Sequence, residues 1–197
     1  DELYSIGLTA NLNRIKDIFL AGCTLGIRFS DLMRLQKKNL IIVEGQPYII
    51  LYTIKTGSYI KIPVPDYLSK IFKNYRKSNG KFLLPQYSNS RFNILIKRLG
   101  EKIGWTEILP KYMSYKGKWI EQKKEGNQSW KYYDHLSSHT MRRTAITTLL
   151  VLGVPEQVVR RVSGHAPGSK EFYKYVVIAQ EILNTEVQQD NYSKNRS

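Results

Sequence analysis

Between Leu40 and Pro65 the chain reads LIIVEGQPYIILYTIKTGSYIKIPVP, and this stretch limits the available folds more than any other. β-Branched and aromatic residues fill three short runs, LIIV, YIILYTI and YIKIPVP, separated by the turn signals Glu44-Gly45 and Lys55-Thr56-Gly57. Runs this short and this punctuated predict three antiparallel strands joined by tight turns.

Helical spacing governs the sequence on both sides. Leu12, Ile15, Phe19 and Cys23 form one apolar stripe, Leu68, Ile71, Phe72 and Tyr75 a second, and Phe92, Leu95, Ile96 and Leu99 a third. After Gly26, Ser30 is the expected N-cap of a short helix burying Leu32, Met33 and Leu35, which leaves Arg28 in the turn between two helices. A helix from about Thr140 to Leu152 stops at Gly153, a short one runs from Pro155 through Val162, and a last one includes FYKYVVIAQEIL. The expected class is α+β, mainly α-helical, with a small three-stranded antiparallel sheet.

Residues 106–137 show no period and mix Lys, Gly, Trp and Tyr. An extended hairpin or arm is expected there, and Lys118, Lys123 and Lys124 with Trp119, Trp130, Tyr132 and Tyr133 are suited to lie along a nucleic-acid backbone. A plain surface loop is the competing reading. Over the whole chain, 31 Lys and Arg against 16 Asp and Glu give a formal +15, which implies a polyanionic partner and argues against an ordinary metabolic enzyme.

Cys23 is the single cysteine and excludes an intrachain disulfide, in keeping with a reducing cytoplasm. No apolar run is long enough to span a bilayer, the N-terminus lacks a signal-peptide pattern, and no membrane association is expected. The absence of an initiator Met points to a fragment of a longer protein.

Chemistry concentrates in SSHTMRRTAITTLL, from Ser137. One helical turn separates His139 from Arg142, so both lie on one face and can converge on an anion. Arg143 points about 100° away and reads as a backbone-phosphate or structural contact. Asp31, one turn after Arg28, reads either as an arginine partner or as a first-turn helix carboxylate. Carboxylates, cysteines and histidines do not cluster at metal-ligand spacing, so no metal and no cofactor is expected.

In order along the chain stand Arg28 in GIRFSDLMRL, Lys55 in IKTGSYIKIP, His139 and Arg142 in HTMRRT, His165 in SGH, and the pair Tyr173 and Tyr175. This ordered set, from about Leu8 to Leu183, resembles the tyrosine recombinases, the integrase family that cuts and rejoins DNA through a tyrosine. Within that family it is similar to the integrases of Bacteroides-type mobile elements, which have similar SSHT-x-RR boxes. The resemblance implies a DNA recombinase working through a covalent 3′-phosphotyrosine. Arg28 and Arg142 would then clamp the phosphate, Lys55 would protonate the leaving oxygen, His139 would accept the tyrosine proton, and His165 would hold a phosphate oxygen or orient the site.

Elementary chemistry agrees with those residue types. Attack on a phosphodiester places excess negative charge on the non-bridging oxygens, and two permanently charged, forked guanidiniums suit it without a metal. For the nucleophile, Tyr173 lies eight and Tyr175 ten residues after His165, whereas the family commonly spaces the pair by about nine. The pattern F-x-K-Y-V selects Tyr175, and an apolar residue just before the nucleophile selects Tyr173; Tyr175 is carried forward with Tyr173 as the alternative.

The resemblance further implies that residues 1–197 are a catalytic domain whose N-terminal core-binding domain is absent, and that residues 176–197 dock on a neighbouring protomer. The partner would be double-stranded DNA, bound as a homo-tetramer, with a monomer off DNA and room for accessory DNA-bending proteins. A type IB topoisomerase and a non-catalytic DNA-binding protein of the same fold are the alternatives.

Overall fold

The computed structural model describes residues 7–54, 57, 59–76 and 80–194, with the backbone alone for 186–194. The expected class holds, with helices dominating and one small three-stranded sheet. The chain divides into two compact units, residues 1–19 with 86–138 and residues 20–85 with 139–197.

Three elements organise the first unit: the start of helix α1 (Ala10–Leu25), helix α4 (Asn89–Lys102) and a β-ribbon. Helix α4 opens where Ser88 Oγ accepts the Arg91 N–H at 3.2 Å, and it buries Phe92, Leu95, Ile96 and Leu99 along one face as its spacing predicts. Gly100 on the same helix lets a 3₁₀ turn (Tyr132–His135) approach closely, because a Cβ there would stand 2.8 Å from that of Tyr133.

The segment without a period forms strands β4 (Lys111–Tyr115) and β5 (Lys118–Gln122). Lys116 and Gly117 close them with φ of 48° and 76°, the two-residue left-handed turn that matches the twist of a hairpin. Its outer half is exposed on both faces, and Trp119 is 75% exposed. Hence no alternation appears in its sequence: an element with no buried side has no apolar face to display.

In the second unit the sheet runs β1 (Leu40–Val43), β2 (Gln46–Tyr52) and β3 (Tyr59–Pro63), all antiparallel. Ile49 pairs with Ile62 and Leu51 with Ile60, and these four side chains form its buried face. Glu44 and Gly45, at φ of 50° and 80°, make the first turn. Helix α3 (Asp66–Tyr75) buries Leu68, Ile71 and Phe72.

The short helix α2 spans Phe29–Met33, and here the sequence expectation is corrected. Arg28, not Ser30, occupies the N-cap position, because extended backbone at Arg28 (φ −65°, ψ 148°) starts the helix one residue later with the Leu32 N–H on the Arg28 carbonyl. Helix α5 (Ser138–Val151) begins about two residues earlier than predicted, which places His139 in its first turn.

Where α5 passes the second half of α1, Gly22 faces Met141: a Cβ on Gly22 would stand 2.9 Å from the Cβ of Met141, an atom fixed by its own backbone. Any side chain at position 22 must therefore part the two helices. Helix α6 (Glu156–Ser163) ends at Gly164, whose φ of 62° suits glycine, and its Val159 joins Ile146 of α5 with Phe172, Tyr175 and Val176 of helix α7 (Lys170–Lys194) in one apolar cluster. Val159 and Phe172 are fully buried, each contributing about 1.5–3 kcal/mol.

Candidate active site

The candidate site lies in the second unit and is built around the C-terminal end of α6. Arg28 donates from Nη2 to the Gly164 carbonyl at 3.1 Å, and Arg142 donates from Nη2 to the adjacent Ser163 carbonyl. Arg142 Nη1 reaches the Gly26 carbonyl at 3.2 Å. Two guanidiniums 114 positions apart in sequence are thus hung on neighbouring carbonyls. A helix C-terminus is the negative end of the helix dipole, so it offsets part of their mutual repulsion.

The offset is incomplete. Arg142 is 6% exposed, and burial together with the charge of Arg28 pulls its pKa down to about 10, against weaker support from Tyr175 and Asp31. Arg28 Nη1 is buried and has no hydrogen-bond partner among the described residues. A buried, unpaired guanidinium nitrogen beside a second guanidinium makes a site short of negative charge.

His165 follows directly on this helix end. Its ring lies against Phe172 and Tyr175, with centroids 5.4 and 5.9 Å away, and Nδ1 is 2.8 Å from Ser163 Oγ. Burial first, then Arg142, Arg28 and Arg160, push its pKa down to about 4, with Glu171 opposing. Because the unfolded histidine titrates near 6.5, the fold gains its full share of stability from a neutral His165 only above that value. It loses that share as the pH falls toward 4. The melting temperature without DNA is expected to drop between pH 7 and 4 by more in the parent protein than in His165→Gln; equal drops would show that this ring contributes nothing.

The two candidate nucleophiles differ sharply in placement. Tyr175 is 9% exposed, packed in the apolar cluster and close enough to Arg142 to act on its charge. Tyr173 is 62% exposed on the opposite side of the helix. His139 is exposed in the first turn of α5, near enough to Glu171 to influence its ionisation, and Arg143 is exposed.

Lys55 lies outside the described residues, whereas Ile54 beside it is described. Asp31, fully buried, accepts the Ile54 N–H on Oδ1 at 3.0 Å, and Arg34 Nη2 sits 3.7 Å from the same oxygen. The arginine partner expected for Asp31 is therefore Arg34 at most, and its shorter contact is to the backbone of Ile54.

Ser163, Gly164 and Gly26 are site residues the sequence reading did not single out. For Ser163 a signal existed, since it stands inside the SGH box; a backbone carbonyl leaves no signature in a sequence. Of the arm lysines, Lys123 pairs with Glu121 at 2.6 Å and Lys124 with Asp134 at 2.7 Å, whereas Lys118 has no ionic partner among the described residues. Among those residues no three His, Cys, Asp or Glu side chains converge as a metal site, and no helix is long and apolar enough to cross a membrane.

The second unit thus combines a mainly helical frame and a three-stranded sheet with two arginines at one helix end and a histidine and a tyrosine beside them. The Phage integrase family profile matches residues 13–180, and the chain belongs to that family, the tyrosine recombinases. No curated protein matches the chain.

Among solved structures it is similar to XerH site-specific recombinase bound to a palindromic difH substrate (TM-score 0.63, 13% identity, 94% of this chain and 48% of that one). It is also similar to XerA recombinase (0.55, 16%, 98% and 65%) and to the Tn1549 transposon integrase in complex with circular intermediate DNA (0.53, 20%, 88% and 57%). The chain spans about half to two-thirds of the length of these structures.

Proposed function

We propose that this chain is the strand-cutting part of a site-specific DNA recombinase or integrase, and that Tyr175 is its nucleophile. The observation behind this reading is the pair of guanidiniums, Arg28 and Arg142, on the adjacent Ser163 and Gly164 carbonyls, one with an unpaired buried nitrogen. A phosphodiester supplies the missing anion, and the charge that builds on its oxygens during attack strengthens every contact to it.

In this reading the Tyr175 oxygen attacks phosphorus and the 5′ oxygen departs, taking a proton from Lys55. His139, in the first turn of α5, accepts the tyrosine's proton and returns it in the reverse step, while His165 holds a phosphate oxygen or orients the site. The 3′-phosphotyrosine conserves the energy of the broken bond, so religation needs no nucleotide, and the permanent cations do the work a metal would otherwise do.

DNA is held in addition by exposed cations, Arg143 and Lys118 foremost, while Lys123 and Lys124 must first leave their carboxylates. The exposed ribbon with Trp119 adds a stacking surface. Ile178, Ile182 and Leu183, partly exposed on α7, form the apolar patch through which residues 176–197 dock on a second protomer in a DNA-bound homo-tetramer. Such work belongs in the cytoplasm.

A suicide duplex, nicked so that the cleaved strand end diffuses away, tests the reading. The expected result is a protein–DNA adduct that survives denaturation and forms equally well in EDTA. Salt-sensitive binding with no adduct on any site would leave a binding protein instead.

A further inference from the structure

We propose that one face of the β4–β5 ribbon reads base edges in the major groove of duplex DNA, with Met113, Lys118 and Ile120 as its contacts. This rests on the DNA-recombinase reading given above and adds a source of sequence preference to it.

Register divides the ribbon's side chains. Residues directly opposite across an antiparallel pair share a face, and neighbours along a strand do not. Lys111 pairs with Gln122, Met113 with Ile120 and Tyr115 with Lys118, so these six form one face. The Gln122 amide, donating to Met113 Sδ at 2.9 Å, agrees with that grouping. Tyr112, Ser114, Trp119 and Glu121 form the other face.

Met113, Tyr115 and Ile120 are each about half exposed, and Lys118 beside them is exposed. Apolar side chains left in water on so narrow an element call for a partner. Charge selects which one. Residues 111–124 hold five lysines and a single carboxylate, Glu121, within a chain of formal charge +15, so a second copy of the chain is repelled and a polyanion is attracted. Glu121 also selects the face: it stands on the Trp119 side, and the face with Met113 and Ile120 carries no acid. Trp119 is thereby left on the outward face, available to bases of an unpaired strand.

Dimensions select the groove. Two strands about 4.8 Å apart fit a groove about 12 Å wide and not one about 6 Å wide. Each strand has five residues and so spans about 17 Å, or about five base pairs. The floor of the major groove offers thymine methyls and the N7 and O6 acceptors of guanine. Met113 and Ile120 suit the first and the Lys118 ammonium the second. Lys111 serves a different end, since its Nζ lies 4.5 Å over the Trp130 ring and ties the foot of the ribbon to its own unit.

Base analogues test this without altering the protein. Duplexes that the chain binds from a random-sequence pool are sequenced, and the enriched site is rebuilt with single replacements. Deoxyuridine for thymidine removes only the major-groove methyl, 7-deazaguanine removes the N7 acceptor, and deoxyinosine for deoxyguanosine removes the minor-groove amino group. Within one block of about five base pairs, uracil is expected to weaken binding about three- to fivefold and 7-deazaguanine about fivefold or more, with inosine neutral. Ile120→Ala should lose the uracil effect and Lys118→Ala the deazaguanine effect. Tyr112→Ala, on the opposite face, should retain both.

Analogue effects that persist unchanged in Ile120→Ala and Lys118→Ala would move the readout to another part of the chain and overturn the proposal. Sensitivity to inosine in place of uracil, which indicates the minor groove, also overturns it, as does a pool bound without sequence preference. Affinity for the enriched site equal to the parent's in both ribbon variants would assign this face to a protein partner instead. Each of these results leaves covalent capture of a suicide duplex to report on the recombinase reading separately; a chain that neither binds nor captures DNA ends both.

Discussion

Tyr175→Phe is expected to abolish covalent capture of a suicide duplex, by at least about 10³-fold, while Tyr173→Phe captures at the parental rate. The ring of Tyr175 fills part of a core shared with Ile146, Val159, Phe172 and Val176. Phenylalanine keeps that ring and removes only the oxygen, so a loss of capture cannot be assigned to misfolding. Tyr173 is mostly exposed and faces away from the cluster. Denaturing gels of adduct formation decide between the two; capture by Tyr175→Phe with loss in Tyr173→Phe would reverse the assignment and require the helix α7 to turn in the DNA-bound state.

The second large effect concerns Arg142. Its Nη1 and Nη2 reach carbonyls of Gly26 and Ser163, on two different segments, which only a forked side chain can do at once. Arg142→Lys retains a positive charge and can satisfy one of these acceptors. It is expected to lower the single-turnover rate by about 10²- to 10³-fold with DNA affinity changed little, because the loss falls on charge that develops during the reaction. A modest loss in both rate and affinity would show that charge alone, and not the fork, is what position 142 supplies.

Much of this architecture could be read from periodicity. Strands β2 and β3 of the second unit and the stripes of α3 and α4 alternate or repeat because each has one side against a core. Strands β4 and β5 have no such side, and their composition could point only to an arm. The start of α2 was misplaced because Ser30 has the right side chain for a cap, while the observed N-cap, Arg28, has no side-chain cap bond and is fixed by a long-range bond to Gly164.

The candidate site divides in the same way. Arg28, Arg142, His165 and Tyr175 drew attention as chemical types in a fixed order, and all four lie in one unit around one helix end. What they lean on did not. Two carbonyls, the Ser163 hydroxyl and the Ile54 N–H that occupies Asp31 are contacts between segments distant in sequence or belonging to the backbone, and neither spacing nor composition encodes them. The division of the chain into two compact units was likewise illegible, since each unit is assembled from two separate stretches.

The left-handed glycine at the end of α6 has one further consequence. Ser163 and Gly164 give up the carbonyls of two consecutive peptide planes, joined at the Gly164 Cα, to different arginines. A shift of this helix end would carry both acceptors and so swing the two charges together, and any motion of α6 would arm or disarm the pair as one lever.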